Sequence, residues 1–527
     1  MIGLLAMKKR FADLIDPKEI LAVRGSLDIP IEGLSYHSKH CGPGFLFFAL
    51  PGLHTDGRQF VQDAVARGAA AVMTEGPLNS LPPGITAIQV RDCRLSMSAA
   101  ASAFWDDPSA SLCVIGVTGT EGKSTTVSLI YQLLNHAGFK TGFFSTVMSD
   151  TGEGEVPNPE HQTTPEATAV QQMLASMRDH GLSYAVVEAS SHGLSSRTAR
   201  LAHVKFDIGV ITNVTHEHLE FHGTWEQYRS DKANLFRRLG EGGAKNIAGR
   251  LPAAPRGIIC ADDPSAEYFA RASSAPCMFY SSKGASADLV TRDIRFDMGG
   301  ADFVIEGPGV SQERQHLSAH INLPGAFNVQ NCLGAILAAS AASGLHWSAF
   351  VPLLPLLKPV RGRMQRIVQG QPFEVIIDYA HTPSSFMEIL PPLRKERSGR
   401  IICVFGSGGE RDRLKRPQQG RIAADYCDIL VLTDEDPRGE DPMALLEEIA
   451  AGCSELVKGE RLFLIPDRPS AIRKAFSLAG PGDLVLLLGK GHENSIIYAD
   501  HVLPYDEETT ARTILAEMGF GTKGRKA

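Results

Sequence analysis

No two cysteines in the 527-residue chain are spaced Cys-x-x-Cys, and the nine present are scattered and odd in number. Neither a disulfide framework nor a paired-thiol zinc site is indicated, and a reducing cytoplasm is the expected compartment. No stretch reaches the ~18 apolar residues of a membrane-spanning helix, so no membrane span is expected. The opening MIGLLAMKKR carries its positive charges after a short apolar run, the reverse of a secretory signal, and Met7 is an alternative start. Basic charge is also short: 52 Lys and Arg against 59 Asp and Glu give a net charge of -7. That leaves no footprint for nucleic acid, and small-molecule substrates are expected instead.

What is present is the composition of an ordinary α/β protein, 43% hydrophobic and 21% charged, with 51 glycines and 31 prolines. The length exceeds what one core can serve, and the usual domain size gives about three to four domains. The most informative stretch is GVTGTEGKST, Gly116 to Thr125, between the apolar run Leu112–Ile115 and a helical pattern. A buried strand, a glycine turn and a helix start gather backbone N–H groups around one point, which makes a phosphate site. Lys123 adds a mobile positive charge and the Ser124 hydroxyl can hold magnesium. The strict spacing of the common phosphate loop would place a glycine at Val117, so this is a variant built on Gly116, Gly119 and Gly122.

Ahead of that loop, residues 1–108 read as a small α/β domain. A Gly-Pro-Gly turn leads into a strand, and a helix follows whose apolar face includes Phe60, Val61, Ala64 and Val65. Taken by residue type, Ser38, His54, Thr55 and Asp56 are polar loop residues with turn chemistry. Beyond the loop, Ala185-Val186-Val187 ends at Glu188, where a parallel sheet gathers its ligands, so Glu188 is placed to face phosphates and hold magnesium. The next apolar run, Ile208–Ile211, ends in a loop with Asn213, His216, Glu217, His218, Glu220 and His222. The His218-x-x-x-His222 spacing admits zinc, but Gly223 follows at once and no His-Glu-x-x-His is present, so part of the cluster is read as magnesium-linked. Lys232 lies on an amphipathic helix, where a single lysine reads as a solvated face.

From VRGRMQRI onward a third domain is expected. Val375–Ile377, Ile401–Phe405, Ile429–Leu432 and Leu484–Leu488 are apolar runs ending at DYAHTP, GSGGERDRLKRP, TDEDPRGEDP and GKGHE. Strand ends carrying charged loops indicate a doubly wound sheet with one wall of a cleft along its edge.

The ordered set of HTDG, GVTGTEGKST, QTTPE, EASSHG, TNVTHEHLEFHG, the Lys232 helix, GAFNVQN, RGRM, DYAHTP, GSGGERDR, DPR and GKGHE resembles the Mur ligases, ATP-dependent amide ligases of bacterial cell-wall precursor synthesis. Within the family the chain is similar to the members that add the third amino acid. The resemblance implies three domains: 1–108 for the uridine nucleotide, 109–357 with a phosphate-loop parallel sheet for ATP, and 358–527, Rossmann-like, for the amino acid. It implies that Ser38, His54 and Thr55 hold the uridine nucleotide, and that Thr163, Thr164, Ser190 and Arg200 hold the muramoyl-dipeptide. SSRTAR is longer than the usual segment, and counting back from Lys205-Phe206 selects Arg200 over Arg197.

By the same resemblance Gly119, Thr120, Glu121, Gly122, Lys123, Ser124 and Thr125 contact ATP phosphates, with Asn328, Asn331, Arg363 and Asp378 completing the ATP site. Magnesium falls to Ser124, Glu188, His218 and Lys232, the last as a carbamylated lysine (N6-carboxylysine). A monomer and a cytoplasmic location are implied. An ammonium beside metal and phosphates would be repelled by the metal, whereas its carbon dioxide adduct is an anion. Lys123, Glu188, His218 and Lys232 form the implied catalytic set.

The implied reaction converts the D-glutamyl carboxylate to an acyl phosphate, which the incoming amine attacks. Arg411, Glu435, Asp436, Pro437, Arg438, Gly489 and Glu493 are the implied amino-acid contacts. Relatives that add meso-diaminopimelate carry Asp-Asn-Pro-Arg, and here Glu435-Asp436-Pro437-Arg438 keeps the arginine while aspartate replaces asparagine. The arginine favours meso-diaminopimelate, because a guanidinium fork suits a distal carboxylate. Asp436 keeps L-lysine and L-ornithine open. A folylpolyglutamate-type ligase and a non-catalytic nucleotide-binding protein are the rival readings.

Overall fold

The structure, a computed structural model, describes residues 8–52, 55–158, 162–215, 219–245, 247, 254–297, 299–309, 313–395 and 397–521. The chain forms two compact units. One holds Met1–Val290, Glu306–Gln315 and Asn331–Leu353; the other holds Thr291–Ile305, His316–Gln330 and Leu354–Ala527.

The first unit opens with a five-stranded sheet made of β1 (Ile20–Arg24), β2 (Gly33–Ser35), β3 (Phe45–Ala49), β4 (Ala71–Thr74) and β5 (Thr86–Val90), in the order β1-β5-β4-β3-β2. All neighbours run parallel except β1 and β5. Helix α1 (Cys93–Phe104) packs its face of Cys93, Met97 and Ala100 onto this sheet. The helix expected after HTDG is a short 3-10 turn, Gly57–Phe60, continued by Val61–Ala66. Val61 and Ala64 are buried, but Phe60 is 44% exposed: it belongs to the turn and not to the apolar stripe.

A larger sheet follows, with a parallel core of β6 (Cys113–Thr118), β7 (Thr141–Phe144), β8 (Tyr184–Glu188), β9 (Ile208–Ile211), β10 (Arg256–Cys260) and β11 (Cys277–Ser281), ordered β7-β8-β6-β9-β10-β11. Helices α2 (Lys123–His136), α3 (Ala167–Asp179) and α4 (Trp225–Arg237) cover it. Burial on both faces explains why these strands read as unbroken apolar runs. Three long strands come next, Leu289–Asp297, Gly300–Pro308 and Arg314–Ile321, and then the alanine-rich helix Ala326–Ser343.

The second unit carries a six-stranded sheet of β12 (Gln365–Arg366), β13 (Glu374–Asp378), β14 (Ile401–Phe405), β15 (Ile429–Leu432), β16 (Leu462–Leu464) and β17 (Leu484–Leu488). Its order is β12-β13-β17-β14-β15-β16, parallel except for β12 at one edge. Helices α5 (Pro383–Lys395), α6 (Lys415–Tyr426) and α7 (Pro442–Ala450) share one core cluster with the sheet. Helices α8 (Arg468–Leu478) and α9 (Glu507–Glu517) share a second, so the sheet is doubly wound as expected. A short antiparallel hairpin, β18 (Ser495–Ile497) and β19 (Val502–Pro504), follows β17.

Candidate active site

In the first unit the glycine turn sits between β6 and α2. Gly119 and Gly122 have φ of +150° and +81°, both in the region that favours glycine, and a Cβ at Gly119 would overlap Thr212 Oγ1. The turn is braced from the end of β9. Thr120 N donates to Asn213 O at 2.8 Å, Glu121 N to Asn213 Oδ1 at 2.9 Å, and Thr212 Oγ1 to Glu121 O at 2.6 Å. Helix α2 brings a second brace, with Ser124 and Thr125 buried in its first turn. Lys123 Nζ donates to Thr120 O at 2.6 Å. A Cβ at Gly122 would lie 2.5 Å from Asn331 Oδ1, which puts Asn331 against the loop. The N–H groups of Thr120 and Glu121 are thus taken by Asn213, and those of the first turn of α2, which have no intrahelical partner, are the ones a helix start offers to phosphate.

Lys232 corrects the expectation of a solvated face. It is 1% exposed, its Nζ donates to Gly119 O at 2.6 Å, and it lies 4.4 Å from the centre of the Tyr228 ring. Helix α4 turns this face inward because Tyr228, Leu235 and Phe236 pack on the sheet beside it. Glu188 ends β8 level with Val117 of β6. Its Oε2 accepts from Thr146 N at 2.8 Å and its Oε1 from Thr146 Oγ1 at 3.0 Å, and it forms no ion pair among the described residues. A buried carboxylate without a cationic partner is costly. With Ser124 on the other side of the turn, the donors are hard oxygens of the kind magnesium takes, so the residues fit that ion.

His216, Glu217 and His218 lie outside the described residues, as does His54. His222 is absorbed elsewhere: Nδ1 pairs with Asp231 Oδ2 at 2.7 Å and Nε2 with Ser191 Oγ at 3.1 Å. Both ring nitrogens are committed within the protein, so the His218–His222 zinc reading fails on that side. Among the described residues no group of three or more His, Cys, Asp or Glu could hold a metal.

The other expected residues of this unit fall as follows. Ser38 is buried and helps hold the Asp63 carboxyl below its ordinary value, and Thr55 is exposed. Thr163 is half-buried; Thr164 Oγ1 donates to Glu188 O at 2.9 Å and meets Ser190 Oγ at 2.9 Å. Arg200 Nη1 donates to Thr164 O at 2.9 Å and pairs with Glu166 at 2.8 Å. Arg197 instead turns onto the Phe221 carbonyl and ring. Thr164, Ser190 and Arg200 thus share one cluster with the Glu188 backbone. Glu166 and Tyr228 were not singled out by sequence, although Glu166 lies within QTTPE, and Asn213 was named only as a loop residue and not as the brace of the glycine turn.

In the second unit, Asn328 Nδ2 donates to Pro324 O at 2.7 Å. Asp378 ends β13 and accepts from Met364 N at 2.7 Å and Ala380 N at 2.8 Å. Burial pushes its carboxyl up, against the pull of Arg363. The Arg363 guanidinium lies 4.7 Å from the Tyr379 ring centre, and its buried Nε has no partner. His492 is held neutral, pushed to about 3 by burial first and by Arg363, Arg361 and Lys490 after it.

Glu435 and Asp436 are buried after β15. Glu435 Oε2 has no partner and lies 2.9 Å from where a Cβ on Gly489 would stand. The Pro437 carbonyl accepts from Glu440 N at 3.1 Å. Arg411 is exposed, its Cγ 3.4 Å from a would-be Cβ on Gly408. Arg438 forms no ion pair among the described residues, and its Nε is buried without a partner. Lys490, which the sequence reading passed over inside GKGHE, is fully buried between Asp436 at 2.9 Å and Glu493 at 2.5 Å. Burial opposes its charge, but the two carboxylates outweigh it and hold its pKa above the ordinary value. Glu493 also accepts from Tyr379 OH at 3.1 Å.

Three Mur ligase family descriptions match consecutive parts of the chain: the catalytic domain at residues 30–105, the middle domain at 117–339 and the glutamate ligase domain at 362–491. Over 483 residues, 90% of this chain and 89% of the relative, it is 54% identical to the UDP-N-acetylmuramyl-tripeptide synthetase of Treponema denticola. The chain belongs to the Mur ligase family. It is also 37% identical to the UDP-N-acetylmuramoyl-L-alanyl-D-glutamate--2,6-diaminopimelate ligase of Syntrophomonas wolfei, over 96% of this chain and 99% of the other. A solved structure of a ligase with that same name superposes with a TM-score of 0.63 at 29% identity, covering 97% of this chain and 100% of the other. The three sheets are those of the three-domain Mur ligase architecture, and the protein is an ATP-dependent, amide-forming ligase. Among the described residues no helix is long and apolar enough to cross a membrane.

Proposed function

We propose that this Mur ligase adds meso-2,6-diaminopimelate to UDP-N-acetylmuramoyl-L-alanyl-D-glutamate in peptidoglycan precursor synthesis, acting as a cytoplasmic monomer. The observation that carries the choice of amino acid is the guanidinium of Arg438, which has no acidic partner among the described residues and a buried, unpaired Nε. The distal carboxylate of diaminopimelate would pair with it, whereas lysine and ornithine would leave it unmatched. A charge-assisted hydrogen bond is worth about 1.5–3 kcal/mol. Asp436, the residue that kept lysine open, is already engaged by Lys490 and by Ile497 N at 3.0 Å. Glu435, whose Oε2 is unpartnered beside Gly489, remains for an ammonium group, with Glu493, held by Lys490 and Tyr379, and Arg411 as the further amino-acid contacts of this reading.

The substrate's D-glutamyl carboxylate oxygen attacks the γ-phosphorus of ATP, the bond to ADP breaks, and an acyl phosphate forms. The amine nitrogen then attacks the acyl carbon, phosphate leaves with the bonding pair, and the amine proton passes to solvent or base. In this reading the backbone of Gly119–Thr125 and Lys123 hold the phosphates, with Asn328, Asn331, Arg363 and Asp378 around the nucleotide. Ser38, His54 and Thr55 hold the uridine end; Thr163, Thr164, Ser190 and Arg200 hold the dipeptide end. Residues 1–108, 109–357 and 358–527 are the corresponding domains.

Ser124, Glu188 and His218 would hold magnesium, which supplies charge neutralisation where two anions must approach. Lys232 would join them once its amine nitrogen has bonded to carbon dioxide and released a proton, giving N6-carboxylysine. Supplying 13C-bicarbonate should produce a carbamate carbon resonance that Lys232→Ala abolishes; a spectrum without it removes this element.

The decisive assay is phosphate release with the UDP-muramoyl-dipeptide and ATP, comparing meso-diaminopimelate, L-lysine and L-ornithine. Diaminopimelate should be preferred, and Arg438→Ala should cut its kcat/KM by about 10- to 100-fold. A native preference for lysine or ornithine would reject the reading of Arg438.

A further inference from the structure

We propose that Asp436 is a positioning residue for Arg438, acting through the β18–β19 hairpin, and not a ligand for the distal ammonium of the amino acid. The inference rests on the role given to Arg438 above. It starts from the backbone of Arg438, whose φ of +54° lies in the left-handed region. A residue with a side chain leaves that region unless its surroundings hold it there.

The holding contacts converge on Ile497. Asp436 Oδ1 accepts from Ile497 N at 3.0 Å, and Arg438 N donates to Ile497 O at 2.9 Å. Both polar groups of one hairpin residue are therefore gripped by side chain 436 and backbone 438. The same Oδ1 accepts from Lys490 Nζ at 2.9 Å, which ties the segment to the end of β17. Two further bonds close the frame: Tyr498 OH donates to Asp434 Oδ2 at 3.0 Å, and Gly409 N donates to Asp436 O at 2.8 Å.

The segment Asp434–Arg438 is thus pinned from the hairpin, from Lys490 and from the glycine loop after β14. Asp436 is 8% exposed; its Oδ1 bears two of these bonds and has no room for a third strong donor, while its Oδ2 makes no hydrogen bond among the described residues. Its negative charge is matched by Lys490, a cation that Glu493 alone would otherwise neutralise. An oxygen at position 436 therefore holds the loop whether aspartate or asparagine carries it, while the charge offered to substrate stays with Glu435 and Arg438.

Asp436→Ala removes the shared acceptor. The KM for the amino acid should rise about tenfold or more, while kcat and the KM values for ATP and the UDP-muramoyl-dipeptide stay within about twofold. Asp436→Asn keeps an oxygen for Ile497 and Lys490, so it should hold the amino-acid KM within about threefold. It should also leave the ratio of kcat/KM between meso-diaminopimelate and L-lysine unchanged, and this arm stands even where the alanine variant does not fold. A ratio shifted more than about tenfold by Asp436→Asn would mean that the charge acts on substrate directly, and the proposal would fall. A native KM in a folded Asp436→Ala would sink it equally. The KM comparisons use whichever amino acid the native enzyme turns over, so a native preference for lysine counts against the Arg438 reading and leaves the Asp436 result to be judged by itself.

Discussion

Asp434 precedes the amino-acid loop and is 3% exposed. Burial raises its carboxyl to about 6, against Tyr498 OH and Arg468, which lower it, and with Asp467 and Asp441, which raise it further. Its folded value lies above its ordinary 3.8, so the folded state binds the proton more tightly. The stability tied to this group is therefore fully present below about pH 4 and is lost as pH climbs toward 6, a penalty of at most about 3 kcal/mol. Asp434→Asn keeps an acceptor for Tyr498 and should flatten that decline, leaving the variant more stable than the native chain at pH 7. Denaturant melts between pH 4 and 7 check it; parallel pH profiles would contradict it. At this scale residue types were legible and their surroundings were not. Lys232 reads as a surface lysine because nothing in WEQYRSDKANLFRRL states which face meets the glycine turn. Spacing from Lys205-Phe206 chose Arg200 over Arg197, but what each guanidinium meets, Thr164 O and Glu166 for the one and the Phe221 carbonyl for the other, is set by the fold.

Helices α8 and α9 meet at their first residues through Arg468 and Glu507, both fully buried, with Oε1 at 2.6 Å from Nη2. Arg468 also donates to Asp434 O at 3.1 Å and Leu488 O at 2.8 Å, so one side chain joins two helix starts to the ends of β15 and β17. Removing one partner of such a pair strands the other charge. Glu507→Ala should therefore cost about 3–5 kcal/mol, read as a lowered unfolding midpoint of the second unit, whereas a loss below about 1 kcal/mol would show the pair to be dispensable. The elements themselves were easy to see. Ile401–Phe405, Ile429–Leu432 and Leu484–Leu488 coincide with strands because a parallel strand covered on both faces must be apolar throughout. The hairpin Ser495–Pro504 gave no comparable signal, since it is short and Val502 and Leu503 are exposed.

The molecule as a whole carries separate cores: one around Val114, Val187 and Phe236 and another around Phe48 and Met97 in the first unit, with those around Ile376 and Phe405 and around Val404 and Phe476 in the second. Units with their own cores melt as their own cooperative transitions, so calorimetry should show two. A UDP-muramoyl-dipeptide held at about 100 times its Kd should stabilise the first unit by about 2.7 kcal/mol. The transition that Glu507→Ala lowers should stay in place. A single transition that both perturbations move would overturn this division.

The sequence by itself determined the phosphate loop, the strand ends that carry polar loops, and membership of the family, because these depend on local order: glycines at a turn, an apolar run, a motif at fixed spacing. Only the tertiary structure decided that Lys232 is buried on Gly119, that His222 is taken by Asp231 and Ser191, and that Asp436 answers to Lys490 and Ile497. Each of those outcomes joins residues distant in the chain. Burial and charge pairing are set by what the fold packs against a side chain, and a linear order of residues does not contain that neighbour.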